Sequence, residues 1–148
     1  MNHDYSARHE KKPFDKAIYD VDDNAKYQVI NWLKTKDFEA WVNPDDYGID
    51  VLATKDNQQF GFEVEVKHNW DTDEFPFTTV HWAARKLKFI RPNTYFTMLN
   101  NSRTYVLVAK GETLQSASVV SKKTKYTDNE LFVEVNVADC MIRYLDPF

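Results

Sequence analysis

Apolar and polar residues alternate most regularly over residues 61–67 of this chain. Successive side chains of a β-strand point to opposite faces, so this alternation predicts a strand with one buried face. Three apolar side chains would face the core: Phe62, Val64 and Val66. Three charged side chains would share the other face: Glu63, Glu65 and Lys67. Such a row of charges is typical either of a solvated ladder of cross-strand pairs or of a site that binds a metal ion.

A helix is predicted ahead of this strand. Apolar residues recur at helical spacing through residues 25–33, and Asp22 or Asp23 can cap the helix at its amino end. The apolar stripe is wide enough to pack on a sheet, and we expect the helix to end near residues 36–37. Residues 1–20 have balanced charge and no sustained period, which predicts an N-terminal arm.

Three strands are predicted after the helix: residues 38–42, 48–54 and 59–67. Turn-forming residues at positions 55–57 predict a hairpin between the second and the third of these strands. A hairpin would bring Asp50 to the same sheet surface as Glu63 and Glu65. These three acids are therefore expected to lie together.

The second half of the chain predicts another helix and further strands. Thr78 or Thr79 can cap a helix that ends before Pro92 and has an apolar and a basic face. Its basic face would carry Arg85, Lys86 and Lys88. Strands are predicted over residues 94–99, 104–110 and 131–137. The pattern of residues 116–125 is ambiguous and predicts no element.

The order of the predicted elements is helix, three strands, helix and then more strands. This order is typical of an α/β or α+β domain in which helices flank a mixed sheet. The chain has 148 residues, of which 43% are hydrophobic and 15% aromatic. That size and composition predict one folded domain over residues 1–148.

Charge is distributed unevenly along the chain, although the formal net charge is only −4. Residues 1–80 contain seventeen acidic and nine basic residues, whereas residues 81–126 contain one acidic and nine basic residues. An acidic part beside a basic part suits a site in which carboxylates hold cations next to a surface that holds phosphates.

The sequence also indicates where the protein works. Residues 4–16 are charged and lack the apolar stretch of a signal peptide, and the longest apolar run, residues 105–109, is too short to span a membrane. Cys140 is the only cysteine, which excludes an internal disulfide and a multi-cysteine metal site. We therefore expect a soluble, intracellular and cytoplasmic protein with no membrane partner.

Asp50, Glu65 and Lys67, with Glu63 as a further acid, have the chemistry needed to hydrolyse a phosphodiester. A divalent cation held by carboxylates neutralises the phosphate and lowers the pKa of a bound water. Mg²⁺ prefers oxygen ligands and keeps several waters, so two or three carboxylates suffice. A lysine beside them can orient or deprotonate the water, or stabilise developing negative charge.

This arrangement resembles the PD-(D/E)xK nuclease superfamily over residues 23–90. The residues that carry the resemblance are Gly48-Ile49-Asp50-Val51, followed by Phe62-Glu63-Val64-Glu65-Val66-Lys67. The resemblance implies a restriction-endonuclease-like fold with an α-β-β-β-α-β core. It also implies Mg²⁺- or Mn²⁺-dependent hydrolysis of DNA, and many members of the superfamily act as homodimers.

The resemblance further implies a role for individual residues. The metal ligands would be Asp50, Glu65, Glu63 and the backbone carbonyl of Val66. The catalytic residues would be Asp50, Glu65 and Lys67. The side chains that contact the phosphates of the substrate would be Arg85, Lys86 and Lys88.

The identity of the metal-binding acids is open in the sequence. Asp45 or Asp46 could serve instead of Asp50, although Asp50 lies in the predicted strand and is preferred for that reason. Either Glu63 or Glu65 could be the principal glutamate ligand, and we expect it to be Glu65.

The first helix bears on whether the site is complete. Many members of the superfamily carry a glutamate there, and this chain has none between residues 23 and 28. Asp23 or Gln28 could take its place. If the position is lost, the alternative is a catalytically inactive nuclease-fold domain that serves as a DNA- or protein-binding module.

Overall fold

The computed structural model describes the backbone of residues 16–145 and the side chains of residues 24–145. The α-helices in this part are α1 (Lys16–Thr35) and α2 (Gly111–Gln115), and 3₁₀-helices span Ala84–Phe89 and Val137–Asp139. The strands are β1 (Glu39–Val42), β2 (Val51–Lys55), β3 (Gln58–Lys67), β4 (Thr79–Ala83), β5 (Thr94–Asn100), β6 (Tyr105–Lys110), β7 (Ser118–Lys122), β8 (Glu130–Asn136) and β9 (Met141–Tyr144).

The strands form two sheets. The main sheet has six strands in the order β1-β2-β3-β5-β6-β9, and a smaller sheet has three in the order β4-β8-β7. Neighbouring strands are antiparallel except β3 and β5, which run parallel. A parallel pair needs a crossover connection. Here the crossover contains β4 and the first 3₁₀-helix, so it carries the chain from the centre of the main sheet into the smaller sheet and back.

Each face of the main sheet has its own hydrophobic core. On one face, Val29 of α1 packs among buried side chains that include Val51 and Phe62. On the other face, Phe96 of β5 shares a core with Trp82 of the smaller sheet. Glu63 pairs in register with Phe96, so its side chain points toward this second layer. The predicted acidic face is therefore covered by protein at Glu63, whereas Glu65 further along β3 stays partly exposed.

The predicted hairpin between β2 and β3 is confirmed. Its turn residues Asp56 and Asn57 have φ values of 52° and 64°, the conformation of a two-residue hairpin turn that matches the twist of the strands. The resulting register pairs Val51 with Phe62. Because β2 begins at Val51, Asp50 lies directly before the strand, and its predicted position within the strand is wrong.

The predicted mixed sheet flanked by helices is confirmed. The predicted strands correspond to β1, β2, β3, β5, β6 and β8. Phe62 and Val64 are buried in the first core as predicted, and Val66 packs against it. The ambiguous residues 116–125 contain β7, whereas the sequence pattern predicts neither α2 nor β9.

The helix predicted after Thr78 or Thr79 is wrong, because this segment forms β4 and then the short 3₁₀-helix. Val80 and Trp82 alternate at the strand period and are both buried. Strand β4 pairs along its whole length with β8. β-branched and aromatic residues favour a strand wherever a partner strand is at hand, and that partner comes from a distant part of the sequence.

Helix α1 is already formed at Lys16, so neither Asp22 nor Asp23 is its N-cap, and residues 16–20 of the predicted arm are helical. Residues 1–15 of that arm lie outside the described residues. None of the described helices is long and apolar enough to cross a membrane.

Candidate functional site

The hairpin register places Asp50 beside Glu63. The backbone N–H of Asp50 donates a hydrogen bond to Glu63 Oε1 over 3.2 Å, and the N–H of Val64 donates to Asp50 Oδ2 over 2.9 Å. Each carboxylate is therefore held by the backbone of the opposite side of the hairpin. The two-residue turn was the sequence signal for this arrangement, because a Lys55–Gln58 pair places Asp50 opposite Glu63 by simple counting.

Lys26 of helix α1 contacts the same site. Its Nζ lies 3.5 Å from Asp50 Oδ1, and about a fifth of each side chain is exposed. The sequence analysis missed this residue because only the packing of α1 on the sheet brings it to the hairpin. A weak signal was present, since Lys26 precedes the buried Val29 and Ile30 by three and four residues, a spacing that puts it on the side of the helix that packs on the sheet.

Lys86 of the first 3₁₀-helix lies between two glutamates of β3. Its Nζ is 3.0 Å from Glu63 Oε2 and also donates a hydrogen bond to Glu65 Oε1. Burial alone would lower the pKa of Lys86, but the negative charges of Glu65 and Glu63 outweigh it and raise the pKa above its usual value. Lys86 was predicted to contact phosphate, and in this structure its ammonium binds the acidic cluster instead.

Glu63 is the most deeply buried acid of the cluster. Its side chain is 3% exposed, compared with 18% for Asp50 and 31% for Glu65. Burial raises the pKa of Glu63 from its ordinary value of 4.5 to about 7; the Lys86 charge opposes this shift, and the Asp50 and Glu65 charges add to it. Near neutral pH, Glu63 is therefore partly protonated.

This raised pKa predicts a specific dependence of stability on pH. Between the ordinary pKa of 4.5 and about 7, the folded protein keeps a proton on Glu63 that the unfolded chain has lost. The free energy of unfolding should therefore fall as pH rises through this window, by on the order of 3 kcal/mol from this one group. Urea denaturation of the wild type and of Glu63→Gln across the window measures it, because the variant lacks this contribution. Parallel pH profiles for the two proteins would contradict the prediction.

Lys67 lies at the end of β3, beyond the acidic cluster. Its Nζ is 5.0 Å from the centre of the Phe77 ring, and it forms no ion pair within residues 24–145. Burial lowers the pKa of Lys67, the nearby charge of Lys122 lowers it further, and Glu65 partly offsets both. Lys67 is thus a partly desolvated ammonium with no firm anionic partner in the described part of the chain.

Arg85 and Lys88 lie apart from the acidic cluster. Arg85 donates to Glu130 Oε1 over 2.6 Å in an exposed ion pair. Lys88 is exposed and lies 5.3 Å from the centre of the Phe89 ring. Their predicted phosphate contacts stay predictions.

Asp45, one of the two alternative acids before β2, has a structural role. The carboxylate of Asp45 accepts a hydrogen bond from the backbone N–H of Tyr47, which closes the turn ahead of the strand. Asp50, unlike Asp45, bonds to the strand that carries Glu63. The geometry therefore favours Asp50 over Asp45 as the partner of Glu63.

Helix α1 carries Gln28, one of the two residues that could take the place of the helix glutamate. Gln28 Oε1 is buried and has no hydrogen-bond partner within the described residues. A buried acceptor is normally paired with a donor group, a water or a cation. Asp23 lies within α1, and its side chain is outside the described set. The replacement of a helix glutamate by either residue stays a prediction.

The donor chemistry of Asp50, Glu63 and Glu65 suits a hard divalent cation, because all three supply carboxylate oxygens. As the side chains stand, however, residues 24–145 contain no ready group of three His, Cys, Asp or Glu side chains around one metal position. The ammonium of Lys86 takes up the negative charge of two of these carboxylates. The carboxylates are thus chemically suited to a divalent metal ion. In this structure the ammonium of Lys86 binds two of them instead. The carbonyl of Val66 stays a predicted ligand.

No protein-family model matches the chain, and the comparison with curated proteins gives no match. Among solved structures, the chain is similar to Hjc, a Holliday junction resolvase from the hyperthermophilic archaeon Archaeoglobus fulgidus. The two chains are 10% identical, the alignment covers 78% of this chain and 83% of that one, and the TM-score is 0.50. That resolvase is a member of the PD-(D/E)xK superfamily. The restriction-endonuclease-like fold expected from the sequence is therefore confirmed, and this likeness concerns the fold alone.

Proposed function

We propose, from the PD-(D/E)xK nuclease fold of this chain, that it is an endonuclease-like domain that hydrolyses DNA phosphodiester bonds with the help of Mg²⁺ or Mn²⁺. The observation that carries the proposal is the pairing of Asp50 with Glu63 across the hairpin, with Glu65 two residues further along β3. Three carboxylates at the centre of this fold are the donor set that the chemistry requires.

Asp50 and Glu63 would hold the cation, and Glu65 and the Val66 carbonyl would supply further oxygen donors. When bound, the cation would neutralise the phosphate and acidify a bound water. Lys67 would orient that water or stabilise the charge that develops on the phosphate. Its lowered pKa makes proton transfer easier than for an exposed lysine.

Lys86 would act as the internal counter-ion of the acidic cluster. Two neighbouring glutamates, one of them buried, repel each other unless a cation lies between them. In this structure Lys86 supplies that cation. We propose that Lys86 occupies the place that a divalent cation would take between Glu63 and Glu65, and that its ammonium would be available to a phosphate if that cation were bound.

A second candidate function is DNA binding or protein binding without cleavage. The contacts of Lys86 favour it, because an ammonium fixed between Glu63 and Glu65 could replace the metal permanently. The absence of a glutamate from residues 23–28 points the same way. Metal binding separates the two functions, since only the first requires it.

The assembly and the location of the protein are proposals as well. Cutting both strands of a duplex or both arms of a junction requires two sites, so a homodimer suits the nuclease function. A soluble, intracellular protein would have access to DNA. Light scattering on the purified protein, with and without DNA, measures the oligomeric state.

A nicking assay tests the nuclease function directly. The wild type is expected to cut at least one of a supercoiled plasmid, a linear duplex, a single strand and a four-way junction when Mg²⁺ or Mn²⁺ is present. Asp50→Asn should lose this activity, because it removes a charged ligand, while Glu112→Gln, at an exposed position outside the acidic cluster, should retain it. Equal cutting by Asp50→Asn and wild type, or none by the wild type with either metal, would refute the nuclease function.

A further inference from the structure

A cleft opens between the two sheets next to the acidic cluster. Its volume is about 300 Å³, at the lower end of the range for ligand cavities. The end of β3 forms one wall, with Glu65 and Lys67. The smaller sheet and the turn after β7 form the other, with His81, Lys122 and Lys123. The cleft thus shares two residues with the candidate catalytic site.

The charge of this cleft is positive. Three lysines line it, whereas Glu65 is the one acid among the described residues of its wall, and Lys86 already binds that acid. Lys123 has a single ion pair, 4.0 Å from Asp128, and both side chains are more than four-fifths exposed. A contact of that kind contributes little stability. Within residues 24–145, therefore, no carboxylate firmly neutralises the ammonium groups that line the cleft.

The position of Lys122 is fixed by a short chain of hydrogen bonds. His81 Nε2 lies 2.9 Å from Glu134 Oε2, and His81 Nδ1 lies 3.2 Å from Lys122 Nζ. With Nε2 donating to the carboxylate, Nδ1 accepts from the ammonium. Lys122 thus contacts a ring nitrogen and not a carboxylate, which orients the side chain without cancelling its charge. Lys67 stands close enough on the other wall to be repelled by it.

We propose that this cleft is a phosphate-binding subsite for a nucleic-acid strand, with Lys67, Lys122 and Lys123 as its cationic contacts. The proposal rests on the proposed function, because the cleft adjoins the acidic cluster through Glu65 and Lys67. A strand that places one phosphate here presents its next phosphates along the row of acids on β3. Phe132 and Met98 add apolar surface to the wall, which suits a sugar.

DNA binding in EDTA tests the subsite without any cleavage. Fluorescence anisotropy with a labelled oligonucleotide, at several salt concentrations, compares the wild type with the double variant Lys122→Ala/Lys123→Ala. The variant should bind roughly tenfold more weakly, and its slope of log affinity against log salt should fall by about two. A charge-matched control, Lys34→Ala/Lys36→Ala, removes two exposed lysines from the end of α1 and should bind as the wild type does.

Three outcomes would overturn the subsite: unchanged binding by the Lys122/Lys123 variant, equal weakening by the control, or displacement of DNA by polyglutamate at equal charge. The last would mean that carboxylates are bound as well as phosphates. The single variant Lys123→Ala is a control for misfolding, because 81% of this side chain is exposed and its removal should not disturb the fold. It should reduce DNA affinity in the same direction as the double variant, but by less. Binding that depends on these lysines in a protein that cuts no DNA would uphold the subsite and refute the nuclease function.

Discussion

Replacing Glu63 with glutamine is expected to lower Mn²⁺-dependent DNA cleavage by at least about 100-fold. Glutamine keeps the size of the side chain and can still accept the hydrogen bond that the Asp50 N–H donates. It removes the negative charge that attracts a metal ion. Glu65→Gln should cost less, roughly tenfold, because Glu65 is more exposed and lies farther along β3 from Asp50. The ratio of the two losses therefore identifies the principal ligand.

Calorimetric titration with Mn²⁺ provides a second measurement for these variants, independent of turnover. Affinity should fall in the same order, with Glu63→Gln weaker than Glu65→Gln. Glu112→Gln changes an exposed glutamate outside the cluster and should match the wild type in both assays. A larger loss for Glu65→Gln than for Glu63→Gln would restore the preference for Glu65 that the sequence suggested.

Replacing Lys86 with methionine is expected to destabilise the metal-free protein by about 3 kcal/mol. The substitution keeps much of the apolar stem and removes the ammonium, so Glu63 and Glu65 lose their shared partner. Protonation of Glu63, whose pKa is already about 7, would recover part of this loss. Thermal and urea denaturation in EDTA measure the effect.

Mn²⁺ should reverse this destabilisation if Lys86 occupies a cation position. Binding to the folded state alone stabilises it in proportion to the logarithm of metal concentration. Lys86→Met should therefore gain more stability from Mn²⁺ than the wild type, because its metal site has no internal competitor. Lys88→Met, two residues away and exposed, should respond as the wild type does. An equal response of Lys86→Met and wild type would show that Lys86 does not compete with metal.

The sequence was most informative where local rules act. Period-two alternation identified β3, and the turn chemistry of Asp56 and Asn57 implied the hairpin that joins Asp50 to Glu63. The register of this two-residue turn places Asp50 beside Glu63, whereas the resemblance to the superfamily motif favours Glu65. Which glutamate is the principal ligand stays a prediction.

The contacts of Lys86 and Lys122 depend on parts of the chain that are distant in sequence. The spacing of apolar residues after Thr78 fits a helix as well as a strand, and only pairing with β8 makes β4 a strand. Lys86 then follows in a short 3₁₀-helix, which directs it to β3. Lys122 lies in the ambiguous segment, and its place beside Lys67 depends on how the smaller sheet packs.

The crossover between β3 and β5 also has a consequence for folding kinetics. Strand β4 is anchored by β8, so His81 reaches Glu134 across a separation of 53 residues. Closing so long a loop costs conformational entropy before the contacts that stabilise it can form. Pairings of this kind therefore slow folding. Lys86 follows β4 directly, so the pairing of β4 with β8 helps to hold it against Glu63. We therefore expect the acidic hairpin to leave the ribosome before the strand that completes the position of Lys86 has been made.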